Sequence, residues 1–337
     1  MSMQKNSIGI LGAGTWGIAL AALLAKNGKD VTVWSALPEE IDALTQTRRQ
    51  KNLPELFLPE SIRFTKEIKE ACEGHAFVML AVPSVFVRST ARAAAPYLGD
   101  GQILVDVAKG IEEGSLLTMS EIITEEIRRT ELSLPVVALS GPTHAEEVAK
   151  DLPTAIVAAS EDFTAAKAVQ DFFMSTCLRV YTATDVRGTE LCGAIKNVVA
   201  IAAGVCAGLG FGDNTAAALM TRGMAEIARL GMAMGCSFET FYGLAGIGDV
   251  IVTATSPHSR NRRAGMLLAQ GLPVDKVKES VGMVIEGLNA LPAACALAER
   301  HAIDMPIVYA VRAIIMGTLT PKDAVLALMA RKKKSEF

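Results

Sequence analysis

Three groups of residues in this 337-residue chain have the types and spacing to do chemistry. The first is Gly12-Ala13-Gly14-Thr15-Trp16-Gly17, which follows an apolar run ending at Leu11. Between a strand and a helix, a GxGxxG sequence is a pyrophosphate cradle. Gly12 permits a tight turn, Gly14 lets the backbone approach the phosphates, and Gly17 lets the next helix pack hard on the strand. The helix start presents N–H groups and a positive dipole end to the anion. The second group is Lys196-Asn197, inside an otherwise apolar stretch, 191–207. Cys192, Gly193, Val199 and Ala200, three and four positions away, leave no polar face there. A lysine desolvated in this way has a lowered pKa and becomes a usable general acid or base. The third group is Ser256-Pro257-His258-Ser259-Arg260-Asn261-Arg262-Arg263, shortly after Gly246-Ile247-Gly248-Asp249. Arginine forks with neutral Asn and Ser donors suit a phosphate, although a basic surface loop has the same composition. No aromatic lies in the segment for base stacking, which weakens an RNA-binding reading. Together the three groups suit hydride transfer to a phosphorylated carbonyl compound, with the lysine protonating the oxygen and the phosphate supplying remote binding energy.

The elements that must position these groups follow from the apolar pattern. Strand-like runs at 31–34, 76–82, 102–107, 136–139, 154–159 and 178–182 alternate with amphipathic stretches such as 116–128 and 163–174. Continuous apolar strands alternating with helices predict a mostly parallel sheet covered on both faces. Ligands gather at the carboxyl ends of such strands. There the chain carries Pro83-Ser84, Lys109-Gly110 and Gly141-Pro142-Thr143-His144. Lys109, straight after a buried strand, either snorkels to solvent or faces an anion, and its place at the strand ends favours the anion. Beyond 185–189 the strand-like runs cease, and 190–207, 215–234, 264–269, 286–301 and 306–316 read as helices. Residues 251–255 are β-branched enough for a strand, but a lone strand would have no partner there. The expected fold is α/β, with an N-terminal Rossmann-like, mostly parallel sheet domain (1–187) for the dinucleotide. A C-terminal all-α domain (188–337) would carry substrate and catalysis.

Composition narrows the class. Half the residues are hydrophobic and a fifth are charged, as in a globular protein with sizeable cores. A net charge of −3 argues against nucleic acid as the main partner. The six cysteines form no CxxC pair, which fits a reducing, cytoplasmic setting, and the four scattered histidines suggest no metal site. No signal peptide is expected. The apolar run at 198–212 falls short of the roughly 20 residues that a membrane span needs, so a buried helix is expected and no membrane segment. The basic tail Arg331-Lys332-Lys333-Lys334 reads as a solvated terminus.

The chain resembles the bacterial-type NAD(P)-dependent glycerol-3-phosphate dehydrogenases. The matching stretches are the glycine loop, Ala81-Val82-Pro83-Ser84, Lys109-Gly110-Ile111-Glu112, Leu139-Ser140-Gly141-Pro142-Thr143-His144-Ala145-Glu146-Glu147-Val148 and Ala194-Ile195-Lys196-Asn197. They continue with Leu244-Ala245-Gly246-Ile247-Gly248-Asp249, Ser259-Arg260-Asn261-Arg262 and Gly282-Met283-Val284-Ile285-Glu286-Gly287, in the family's order over nearly the whole chain. The resemblance implies interconversion of sn-glycerol 3-phosphate and dihydroxyacetone phosphate for phospholipid synthesis, by a cytoplasmic homodimer using NAD or NADP, with NADPH favoured by family habit. It makes Lys196 the proton donor or acceptor. Lys109, Gly141, Thr143, Lys196, Asp249, Ser259, Arg260 and Asn261 would hold the substrate, Arg260 and Asn261 at its phosphate. Gly12, Gly14, Thr15, Trp16, Gly17, Lys109, Ala145, Arg260, Val284 and Glu286 would contact the cofactor. One stretch departs from the family, whose members often carry a basic pair shortly after the second strand, suited to the extra phosphate of NADPH. Here Trp34-Ser35-Ala36-Leu37-Pro38-Glu39 has neither that pair nor an acid at the strand end. Arg48, Arg49 and Lys51 are the basic residues that follow. A β-hydroxyacid dehydrogenase would share the Rossmann domain and a helix lysine but act on carboxylates. A non-catalytic dinucleotide sensor would need neither the lysine nor the phosphate segment.

Overall fold

The computed structural model describes residues 4–333, 335 and 336; of the basic tail, Lys334 lies outside them. Eight strands form one sheet: β1 (Gln4–Leu11), β2 (Asp30–Trp34), β3 (Arg63–Thr65), β4 (His75–Leu80), β5 (Ile103–Asp106), β6 (Val136–Ser140), β7 (Thr154–Ala159) and β8 (Leu178–Ala183). Their order is β3-β2-β1-β4-β5-β6-β7-β8. Every neighbouring pair is parallel except β6–β7, so β1 to β6 end on one edge of the sheet and β7 and β8 on the other. The mostly parallel sheet expected from the apolar runs is therefore present. The edge strand β3 escaped the sequence pattern because Arg63-Phe64-Thr65 is too short to show alternation.

Successive side chains of a strand point to opposite faces, and the two faces have separate cores. Ile8, Ile10, Val31, Val33, Phe77, Met79 and Val105 fill one. Val78, Leu80 and Leu104 belong to the other, beneath Val87, Ala91, Ile122 and Ile123. Gly9 lies where the helix Ile68–Cys72 presses on β1: a Cβ there would collide with the Ala71 carbonyl oxygen.

The chain divides into two compact units, Met1–Gly110 with Leu117–Glu190, and Ile111–Leu116 with Leu191–Phe337. The helix Val186–Gly208 runs from the first into the second. In the second unit the main elements are helices: Asp213–Ala233, Phe238–Tyr242, Asp249–Thr255, Arg260–Ala269, Val274–Val281, Glu286–Arg300, Pro306–Ile315 and Pro321–Met329. The β-branched stretch 251–255 falls within helix Asp249–Thr255, whose Val250, Thr253 and Ala254 share a buried face at helical spacing.

Helix Val186–Gly208 is the centre of this unit. At 23 residues it is longer than its apolar run suggested and would suffice to cross a membrane by length and composition, yet 89% of its apolar window is buried within the protein. Neighbouring helices reach its backbone through glycines. A Cβ on Gly204 would collide with the Arg262 carbonyl oxygen, one on Gly265 with that of Ile201, and one on Gly287 would lie 2.6 Å from that of Asn197. Side chains are excluded at these crossings, so the three helices carrying Lys196, Arg260 and Glu286 pack at backbone distance.

Candidate active site

In the sheet unit, the glycine loop has the local geometry that its sequence predicts. Gly12 has φ +127°, and a Cβ there would lie 2.6 Å from the Ala81 carbonyl oxygen. At Gly17 a Cβ would lie 2.5 Å from the Gly12 carbonyl oxygen, so the first turn of helix Thr15–Lys26 lies directly against the loop. Gly14 is the open position, with nothing nearer to such a Cβ than Ala81 O at 4.0 Å. The helix has no side-chain cap at its start. Uncapped N–H groups behind an open glycine fit a pyrophosphate. Thr15 accepts a 3.3 Å hydrogen bond from Asn52 Nδ2, a neighbour that no sequence signal marked.

Three residues expected at the site meet on one carbonyl. Lys109 Nζ donates to Gly141 O at 3.0 Å, and Thr143 Oγ1 donates to the same oxygen at 3.2 Å. Gly141 is also tightly placed, since a Cβ would stand 3.1 Å from Ile156 Cα. Lys109 therefore follows β5 as a lysine bound to the β6 loop. Ala145, buried, starts the short helix Ala145–Val148 just beyond.

The same unit also buries polar groups with incomplete hydrogen bonding. Asp106 ends β5 with Oδ1 accepting from Ala108 N, while its Oδ2 has no partner. Burial pushes its carboxyl well above the usual carboxylate range, and the Glu190 carboxyl pushes it further. Glu190 is itself raised by burial, against hydrogen bonds that include Ser120 N (2.8 Å) and Ser120 Oγ (2.5 Å). Ser140 Oγ, at the end of β6, and Thr189 Oγ1 are also buried without a partner.

In the helical unit, Lys196 is 5% exposed. Its Nζ donates to Asp249 Oδ1 at 2.5 Å and to Thr253 Oγ1 at 2.6 Å. Asp249 is fully buried. Asp249 accepts a charge-assisted hydrogen bond from the buried Lys196 amine, which compensates the loss of water around it. Thr253 went unmarked because its stretch resembled a strand; as a helix, positions 249 and 253 share a face.

Ser259 caps helix Arg260–Ala269 by accepting from Arg262 N at 3.2 Å. Arg260 Nη1 donates to Val284 O at 3.3 Å, joining two predicted cofactor contacts. Glu286 begins the next long helix and accepts from Asn289 Nδ2 at 3.2 Å. Asn261 is buried, its Nδ2 donating to Asn197 Oδ1 and its Oδ1 accepting from Gly287 N, both at 2.9 Å. Its side chain thus ties three helices together.

Comparison with known proteins places the chain in a family. Residues 7–166 match the model for the N-terminus of NAD-dependent glycerol-3-phosphate dehydrogenase, and residues 185–326 match that for its C-terminus. A glycerol-3-phosphate dehydrogenase [NAD(P)+] of Lactobacillus delbrueckii subsp. bulgaricus is 57% identical over 332 residues, 98% of each chain. One from Agathobacter rectalis is 48% identical over the same share of each chain. The crystal structure of glycerol-3-phosphate dehydrogenase from Coxiella burnetii superposes with a TM-score of 0.92 at 36% identity, covering 97% of this chain and 99% of that one. With both halves matched and relatives this similar over nearly their full length, the chain belongs to the NAD-dependent glycerol-3-phosphate dehydrogenase family, oxidoreductases that act on a CH–OH group with NAD or NADP.

Proposed function

We propose that this enzyme interconverts dihydroxyacetone phosphate and sn-glycerol 3-phosphate, with Lys196 as its general acid and base. The observation that carries this reading is the buried cluster of Lys196, Asp249 and Thr253, in the same unit as the Ser259-Arg260-Asn261 helix start. A bound nicotinamide cofactor supplies the hydride that reduces the ketone carbon. Lys196 Nζ gives a proton to the carbonyl oxygen, which becomes the hydroxyl, and the lysine is left neutral. Asp249 keeps the resting lysine charged and ready to donate, while Thr253 holds its orientation. The start of helix Arg260–Ala269 binds the phosphate through Arg260 and backbone N–H groups. Because the Asn261 side chain already ties Asn197 to Gly287, we assign its share of the phosphate to its backbone N–H.

The sheet unit is the proposed dinucleotide domain, with Gly12, Gly14, Thr15, Trp16, Gly17, Lys109 and Ala145 toward the cofactor. Lys109, Gly141 and Thr143 serve the substrate as well. The helical unit is the proposed substrate domain and adds Arg260, Val284 and Glu286 to the cofactor contacts. Work in the cytoplasm as a homodimer, supplying glycerophospholipid synthesis, completes the reading that the family resemblance supports.

Steady-state kinetics on dihydroxyacetone phosphate test it. Lys196→Ala should bind NADH or NADPH as the parent does and lose kcat on the order of a thousandfold. Near-normal kcat would remove Lys196 from proton transfer, and faster turnover of a 3-hydroxy acid by the parent enzyme would replace the substrate.

A further inference from the structure

The structure carries a reading of which dinucleotide this chain takes, resting on the assignment of the glycine loop to a nicotinamide cofactor. In βαβ dinucleotide sites the residue ending the second strand faces the adenosine ribose: an acid there accepts from the 2′-hydroxyl, and a cation nearby accommodates a 2′-phosphate. In this chain β2 ends at Trp34, whose carbonyl accepts from Gly12 N at 2.8 Å, so the residues after β2 lie beside the cradle. The next residue is Ser35, buried, and its Oγ donates to Glu40 Oε2 at 2.8 Å. The acid missing from the strand end is thus returned to it from the first turn of helix Pro38–Thr47, in contact with the side chain at that position. Leu37 N donates to the same serine oxygen at 3.2 Å, which fixes the turn.

Of the basic residues that follow β2, Arg48, Arg49, Arg63 and Lys66 are engaged elsewhere. Arg48 donates to Ile62 O at 2.7 Å, pairs with Glu60 at 3.5 Å and lies over the Phe64 ring. Arg49 donates to Pro54 O and lies over Phe57. Lys66 pairs with Asp42 at 2.7 Å, and Arg63 with Asp30 at 3.1 Å. Lys51 stands exposed in a turn. Ala36 and Leu37, the two residues that follow Ser35, are exposed and uncharged. A doubly charged phosphate brought here would meet a carboxylate instead of a guanidinium, a repulsive contact.

We propose that Glu40, held on Ser35, is the specificity-determining acid of the adenosine-ribose pocket, and that it selects NADH over NADPH. Fluorescence titration of the protein with each reduced cofactor, without substrate, tests this independently of the reaction catalysed. The parent protein should bind NADH at least tenfold more tightly than NADPH. Glu40→Gln should narrow that ratio at least threefold, and Ala36→Arg should narrow it by strengthening NADPH. A folding defect would weaken both cofactors together and leave the ratio unmoved. Equal or tighter binding of NADPH by the parent, an unchanged ratio in a Glu40→Gln protein that unfolds at the parent's temperature and keeps the parent's NADH affinity, or an NADPH preference abolished by Lys51→Ala would overturn the proposal. Failure to turn over dihydroxyacetone phosphate with a preserved NADH preference would instead count against the assigned reaction.

Discussion

The two units bury polar groups in opposite ways. In the helical unit the buried polar side chains close on one another: Lys196 with Asp249 and Thr253, Asn261 with Asn197 and Gly287, and Glu226 with Ile307 N at 2.9 Å. In the sheet unit four buried side-chain atoms have no partner: His75 Nδ1, Asp106 Oδ2, Ser140 Oγ and Thr189 Oγ1. No such atom occurs in the helical unit among the described residues. Asp106 and Ser140 end adjacent strands, on the edge where the glycine loop and Lys109 lie. An unsatisfied buried polar atom costs about 1–3 kcal/mol, so these atoms hold free energy that a fully hydrogen-bonded sheet end would not. The difference separates two kinds of functional preparation. One unit presents backbone and incompletely paired groups at strand ends; the other holds one buried amine inside a satisfied network.

The comparison is open to experiment. Its sharpest test lies away from the strand ends, where the sheet unit should be as closed as the helical one. Glu126 is buried against Arg88 at 2.6 Å and Arg92 at 2.9 Å, with Arg129 at 3.5 Å. These arginines, Arg92 foremost, hold its carboxyl down to about 2. Because the folded pKa is depressed, the contribution is complete above about pH 4.5 and is lost as pH falls toward 2. Glu126→Ala should cost about 4 kcal/mol in denaturant unfolding at pH 7, and a loss below about 1 would show that this clamp is not a closed network.

A smaller effect, of opposite sign in pH, is expected in the helical unit. Burial raises Glu226 to about 7, against the hydrogen bonds from Ile307 N and Val308 N. Its folded pKa lies above its unfolded value, so the protein should lose stability as pH rises from about 4.5 through 7. Glu226→Gln should flatten that dependence, worth on the order of 3 kcal/mol across the window. A melting temperature whose pH profile is the same in both proteins would contradict the assignment.

The smallest change tests the strand ends themselves. Ser140→Ala removes a hydroxyl that lacks a partner, so it should leave stability unchanged or raise it by up to about 1 kcal/mol. Destabilisation beyond that in thermal unfolding would mean that the hydroxyl is bonded, and the contrast between units would shrink.

How much of this was legible in the sequence depends on what each residue obeys. Gly12, Gly14 and Gly17 answer to local backbone sterics, and their roles as tight, open and packed positions follow from their spacing alone. Lys196 stood out because a lysine inside an apolar helix has few ordinary explanations. Its partners were harder to see. Asp249 and Thr253 lie 53 and 57 residues away, and the second was hidden by β-branched neighbours that imitate a strand. The engagement of Asn261 could not be read, because it needs three helices to meet at glycines. Nor could the excursion of Ile111–Leu116 into the helical unit, since nothing in so short a segment marks which core it joins. Glu40 is illegible for a simpler reason: it stands not at the strand end but in the first turn of the following helix, and only the fold brings it back to Ser35.

The glycine crossings on helix Val186–Gly208 bear on how this enzyme can be re-engineered. Backbone touching backbone at Gly204 and Gly265 works like a toothed coupling: sliding either helix by one residue would drive a side chain into a gap that admits only hydrogen. Lys196 therefore has a fixed station along its axis. Changing the substrate by design would have to proceed through the side chains around that station, because moving the helix itself would mean dismantling the unit.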